Sequence, residues 1–298
     1  MSVIAKARTV ITQAGQALAV TLTLVSALQI ASPGFAENPH SEATAPKLTA
    51  AQATTQATAP LPALEERVKI DEQKLQIAKD LTDWLNRTLQ QEKALVAVVG
   101  RNGSAQTRKQ DKTGMGHAGL AVYDPRAQSW IVYNLLNDTH GKTPQGSIWR
   151  TAPLDFFYGQ KGYDKDALIL IPDETTQQRI YESILNGNYK KLYFTRDYNL
   201  LSAPDTKRSL NCNKWLLLNV VAARIDNYNV DAALKAIHTG FEAANIRLNP
   251  LERQIARTKP TILSNELPMV GPIHTVTVES LYRSDLFPTK RFYSGRQL

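Results

Sequence analysis

The sequence predicts an α+β domain with a mostly antiparallel sheet packed against helices. Three observations carry this. Two apolar runs, His117–Tyr123 and Trp130–Leu136, flank a proline-containing turn and read as a β-hairpin. Further short apolar runs alternate irregularly with amphipathic helical stretches. No P-loop, G-x-G-x-x-G or G-x-S-x-G marks a parallel α/β fold or calls for a nucleotide cofactor. No cofactor is expected.

The chain opens with basic Lys6 and Arg8, an apolar run Ala17–Leu28, and Ser32-Pro33-Gly34-Phe35-Ala36 with small residues where a signal peptidase cuts. Residues 1–36 therefore read as a secretory signal. The apolar run falls short of the ~20 residues that span a bilayer, so no membrane span is expected after cleavage. Residues 37–62, rich in Ala, Thr, Pro and Gln, read as a disordered linker. Residues 63–298 are long enough for one core and one domain. The formal charge of the whole chain is +8; setting aside Lys6, Arg8, Glu37, Glu42 and Lys47 leaves the domain at +7. A periplasmic or secreted protein of that charge is drawn to anionic envelope polymers or lipid headgroups. Nucleic acid is disfavoured, with no basic–aromatic motif to hold it.

Along the domain, Leu64, Val68, Leu75, Leu81, Leu85 and Leu89 share a helical face over about 64–94, and Leu95–Val99 reads as a buried strand. Residues 104–116 are polar and read as a mobile loop carrying Arg108, Lys109 and Lys112. In the hairpin, Tyr123 is expected opposite Trp130, Ala121 opposite Val132, Gly119 opposite Asn134 and His117 opposite Leu136. That register sets His117 and Asn134 diagonally on one face, and a slip of one residue would separate them. Residues 137–165 read as a loop whose aromatics Trp149, Phe156, Phe157, Tyr158 and Tyr163 cover a cleft or plug the core edge. Ala167–Ile171 is a strand. A helix follows with Asp173 as its cap and Gly187 at its end. Leu192–Phe194 reads as a strand, about 230–245 as a helix, 247–271 as irregular and Thr275–Val278 as a late strand.

Between these lies Ser209-Leu210-Asn211-Cys212-Asn213-Lys214-Trp215, leading into an apolar run that reads as a buried helix. Cys212 is the sole cysteine of 298 residues. With Asn211 or Ser209 as the cap, it stands at a helix N-terminus, where unpaired N–H groups favour a thiolate. The same residue also reads as a small apolar packing group. One cysteine makes no intramolecular disulfide, and one Cys with five scattered His residues gives no zinc spacing. A catalytic thiol needs a base and an orienting partner. Of the histidines, His140 sits in a loop, His238 reads as a half-buried helix residue and His274 abuts the last strand. His117 alone has a same-face amide, Asn134.

His117-Ala118-Gly119 at a strand start, a hairpin with a polar residue on its second strand, and Asn211-Cys212-Asn213-Lys214-Trp215 opening a helix resemble the circularly permuted branch of the papain-like superfamily. That branch is similar to NlpC-type cell-wall peptidases and lecithin:retinol acyltransferase. More narrowly, the chain resembles a bacterial domain-of-unknown-function family, the one numbered two-one-four-five. The resemblance implies a permuted papain-like fold with Cys212 as nucleophile and His117 as base. Asn134 matches the third position by its face alone. Tyr198, Gly119 and Asn211 are expected to contact substrate. The expectation is an exported cysteine amidase or peptidase acting on cell-envelope peptide. The alternatives are a thiol acyltransferase or lipid hydrolase, and a non-catalytic envelope-binding module with a vestigial site.

Overall fold

The structure is a computed structural model that describes residues 71–104, 112–138, 144–160 and 162–294. The expected signal and linker, Leu64, Val68, Arg108, Lys109 and His140 lie outside the described residues.

Helix α1 (Glu72–Gln91) starts at Asp71, whose side chain accepts from the Lys74 N–H. Tyr163 donates its hydroxyl hydrogen to Asp71 Oδ2, and the Asp71 N–H donates to Tyr158 Oη. The loop aromatics therefore anchor the helix start, while Phe156 and Phe157 plug the core. Strands β1 (Val96–Asn102), β2 (Met115–Asp124), β3 (Ser129–Asp138) and β4 (Gln145–Thr151) follow. Then come α2 (Pro153–Tyr158), β5 (Ala167–Ile171), α3 (Glu174–Asn186), a 3₁₀ turn (Asn188–Leu192) and α4 (Cys212–Arg224). The chain finishes with α5 (Val230–Ala236), β6 (Ala244–Ile246), α6 (Pro250–Arg257), β7 (Ile273–Thr275), α7 (Val278–Arg283) and β8 (Thr289–Tyr293).

The main sheet has six strands in the order β4-β3-β2-β1-β5-β8, with every pairing antiparallel. The class is thus α+β, a large antiparallel sheet packed with helices. Its two faces are separate cores, because side chains alternate along each strand. Val96, Val98, Ala118, Leu120 and Leu168 pack with α4 and its neighbours; Ala97, Val99, Ala121, Val132 and Ile169 pack with α1 and α2. A small second sheet pairs β6 with β7 over Ala256, Leu267 and Ile273. No described helix is long and apolar enough to cross a membrane.

Several expectations are corrected. The 137–165 stretch holds β4 and α2 rather than a continuous loop, Leu192 ends a 3₁₀ turn rather than opening a strand, and 247–271 contains α6. The late strand is β7, and Val278 begins a helix capped by Thr277. The helix at 230–245 stops at Ala236. Each correction falls on a short element whose conformation is set by tertiary pairing rather than by local pattern.

Candidate active site

The hairpin has Tyr123 opposite Trp130 and Ala121 opposite Val132. Its ladder runs only to Leu120 and Tyr133, and below that level β2 and β3 part, so the expected Gly119–Asn134 and His117–Leu136 pairs do not form. Backbone groups alternate edges along an antiparallel strand. The Tyr123 N–H donates to Leu95 O on the β1 side, so the Ala118 N–H points the other way, toward the parted β3. Cys212 lies at that donor: the Ala118 N–H, the Asn213 N–H and the Tyr198 hydroxyl all favour its thiolate, and the thiol itself donates to Asn213 Oδ1 at 3.6 Å. The thiol therefore meets β2 one residue from His117.

His117 faces Asn134, with Nε2 3.3 Å from Oδ1. The amide orientation follows from its other partners. Asn134 Nδ2 donates to Thr151 Oγ1, and more distantly to Trp149 O and Val132 O. Oδ1 is thus the end presented to the ring, and it must accept. The imidazole then carries its proton on Nε2 and offers the Nδ1 lone pair. Behind the ring lies Phe156, at 5.7 Å between centroids.

Arg101, which no sequence pattern singles out, is the cross-strand partner of His117. Its guanidinium donates to Phe156 O and stacks over the Phe156 ring. No local pattern betrays it, since it continues a strand of Val and Gly residues.

Helix α4 is placed by its cap. Asn211 Oδ1 accepts from the Lys214 N–H at 2.7 Å, while its Nδ2 donates to Leu200 O at 2.9 Å. Lys214, fully buried, donates to Ser202 Oγ, Thr206 O and Ser209 O. Burial lowers its pKa to about 8. Ser209 and Asn199 both donate to Glu266, fastening the segment before the helix.

The electrostatics correct one expectation. Burial pushes the Cys212 thiol above its ordinary value; the hydrogen bonds from Ala118, Asn213 and Tyr198 and the charge of Arg101 oppose it without prevailing. A helix N-terminus is expected to lower the thiol's pKa, yet the residue is only 2% exposed. For His117, burial first and Arg101 second lower the pKa to about 3, although part of the residue stays open to solvent. At rest the thiol and the imidazole are each neutral.

Of the residues expected to contact substrate, Tyr198 stands at the thiol. Asn211 has both ends of its amide engaged, so it positions the helix instead. Gly119 is a packing residue: a Cβ there would lie 2.4 Å from Val132 Cγ1 and 3.2 Å from Phe156 Cε2. His238 is exposed, 3.9 Å from Asp205, and not half-buried. His274 is exposed on β7.

No curated protein and no solved structure matches the chain. A family model described as "uncharacterized protein conserved in bacteria", DUF2145, matches residues 88–283, which contain every residue of this site. The match covers more than half of the sequence, and the chain belongs to the DUF2145 family.

Proposed function

We propose that the protein is an exported thiol hydrolase of amidase or peptidase type, built on a permuted papain-like scaffold and acting on cell-envelope material. One observation supports this above others. The amide of Asn134 is locked so that its oxygen holds His117 Nε2, leaving Nδ1 as the basic nitrogen, and the thiol contacts the next residue of the same strand. In the reaction, His117 Nδ1 takes the thiol proton as Sγ bonds to the carbonyl carbon. The carbonyl oxygen becomes an oxyanion facing the Cys212 N–H at the start of α4, taking the place of the Tyr198 hydroxyl oxygen beside that donor. The C–N bond breaks as the imidazolium returns its proton to the leaving amine. Water then adds to the thioester, His117 again taking the proton, and releases the acid and the free thiol. The positive domain charge suits an anionic envelope polymer as substrate or platform. An acyl acceptor other than water would turn the same steps into acyl transfer.

The test is incubation of the full-length protein and Cys212→Ala with purified peptidoglycan, reading new free amino groups. Release by the wild type alone is expected. No release by either protein removes the hydrolase reading. The near-complete burial of the thiol favours a second reading, an envelope-binding module with a vestigial site. In that case both proteins co-sediment with peptidoglycan equally and neither cuts it.

A further inference from the structure

Arg101 carries a charge that the fold does not neutralise. Its side chain is 8% exposed, and no carboxylate pairs with it among the described residues. Its surroundings are a carbonyl, Phe156 O, and a ring face, with the guanidinium carbon 4.9 Å from the Phe156 centroid. Gly159 makes the room: a Cβ there would fall 2.2 Å from Nη1. Burying an unpaired guanidinium is unfavourable, and an apolar side chain of similar volume would serve packing better. The position makes sense through its neighbours. Arg101 and His117 are cross-strand partners whose side chains both lie against Phe156. Two cations do not share that ring in a buried site, and the guanidinium is the one that keeps its proton, with its own pKa lowered only to about 10.

We propose that Arg101 is the fixed positive charge beside His117, a positioning residue that keeps the imidazole neutral as a base. The proposal rests on the thiol-hydrolase reading for its purpose, but not for its test. The ionisable groups acting on Cys212 are Tyr198, from the segment before α4, and Arg101, from β1. On His117 only Arg101 acts, Asn134 being uncharged. Asp155 of α2 is raised by burial alone and does not offset the guanidinium. Attack thus starts from neutral partners. The base is not lost to protonation near neutral pH.

The experiment follows thiolate absorbance at 240 nm against pH in the full-length protein, with Cys212→Ser subtracted, together with the His117 ring shifts by NMR. Cys212 is the sole cysteine, so the absorbance has one source. Arg101→Met removes the charge at similar volume, and Arg101→Lys keeps it. In Arg101→Met the imidazole midpoint should move up toward its ordinary range, while the thiol midpoint, on which the guanidinium is the smallest influence, should rise only slightly. Arg101→Lys should stay close to wild type. A folded Arg101→Met with an unchanged imidazole midpoint overturns the proposal. An Arg101→Met that does not fold where the wild type does also overturns it, because it makes the guanidinium a structural necessity. Both readouts are spectroscopic, so they decide the role of Arg101 whether or not peptidoglycan is cut.

Discussion

The two halves of the β2–β3 hairpin differ in kind. From Leu120 to Asp124 the strands are laddered, and Leu120, Ala121 and Val132 are fully buried apolar residues. From Met115 to Gly119 the ladder to β3 is missing, and the same strands present His117, Asn134 and a free Ala118 N–H. In the first half the backbone is satisfied within the sheet. In the second, a backbone donor is left for the thiol of a separate helix. Opening the ladder leaves a backbone donor for a sulfur and lets an imidazole meet an amide.

Mutation should separate the halves. His117→Ala should lower peptidoglycan turnover by about 10²–10⁴-fold while the melting temperature stays near wild type. Leu120→Ala should do the reverse, costing about 2–5 kcal/mol in denaturant unfolding while the residual folded fraction keeps its turnover per molecule. Loss of both properties in either variant would erase the distinction. Asn134→Ala should have a smaller effect, roughly 5- to 30-fold in turnover, since one orienting hydrogen bond to the ring is removed. A drop as large as that of His117→Ala would mean that the amide does more than orient.

Acid sensitivity is the finest probe. Folded His117 titrates at about 3, against about 6.5 in an unfolded chain. Between those values the unfolded chain binds a proton that the folded one refuses. Stability is therefore full above about pH 6.5 and falls as the pH drops toward 3. His117→Gln removes this contribution. Its melting temperature should fall less than that of the wild type between pH 7 and 4.5, by on the order of a few degrees. Identical slopes would show that the ring is not desolvated as the fold implies.

The parts of this site written in the sequence are those with local causes. The hairpin register follows from alternation across Asp124-Pro125, and α3 begins at Asp173 and ends at Gly187 (φ 79°), as cap residues dictate. Asn211 before Cys212 is legible for the same reason. What escaped depends on distant packing. Arg101 looks like an interruption in a valine strand until α2 is folded over it. The burial that raises the thiol comes from Tyr198, β2 and the surrounding core, which no helix-terminus argument contains. Strand β8, with its exposed residues, has no strong pattern and exists because β5 offers it an edge.

That last pairing has a consequence for solubility. Strands β1 to β4 form a meander of sequence neighbours, whereas β5 is completed only by Thr289–Tyr293, more than a hundred residues later. Until then Ala167-Leu168-Ile169-Leu170-Ile171 is an uncharged, strongly β-forming segment with one open row of hydrogen-bonding groups, the kind of edge that templates intermolecular pairing. The strand that closes it brings Lys290 and Arg291, and Arg291 ion-pairs with Glu92. The outer boundary of the sheet is therefore charged and poorly suited to adding a further strand. Strand β8 acts as a gatekeeper that converts an aggregation-prone segment into an interior one.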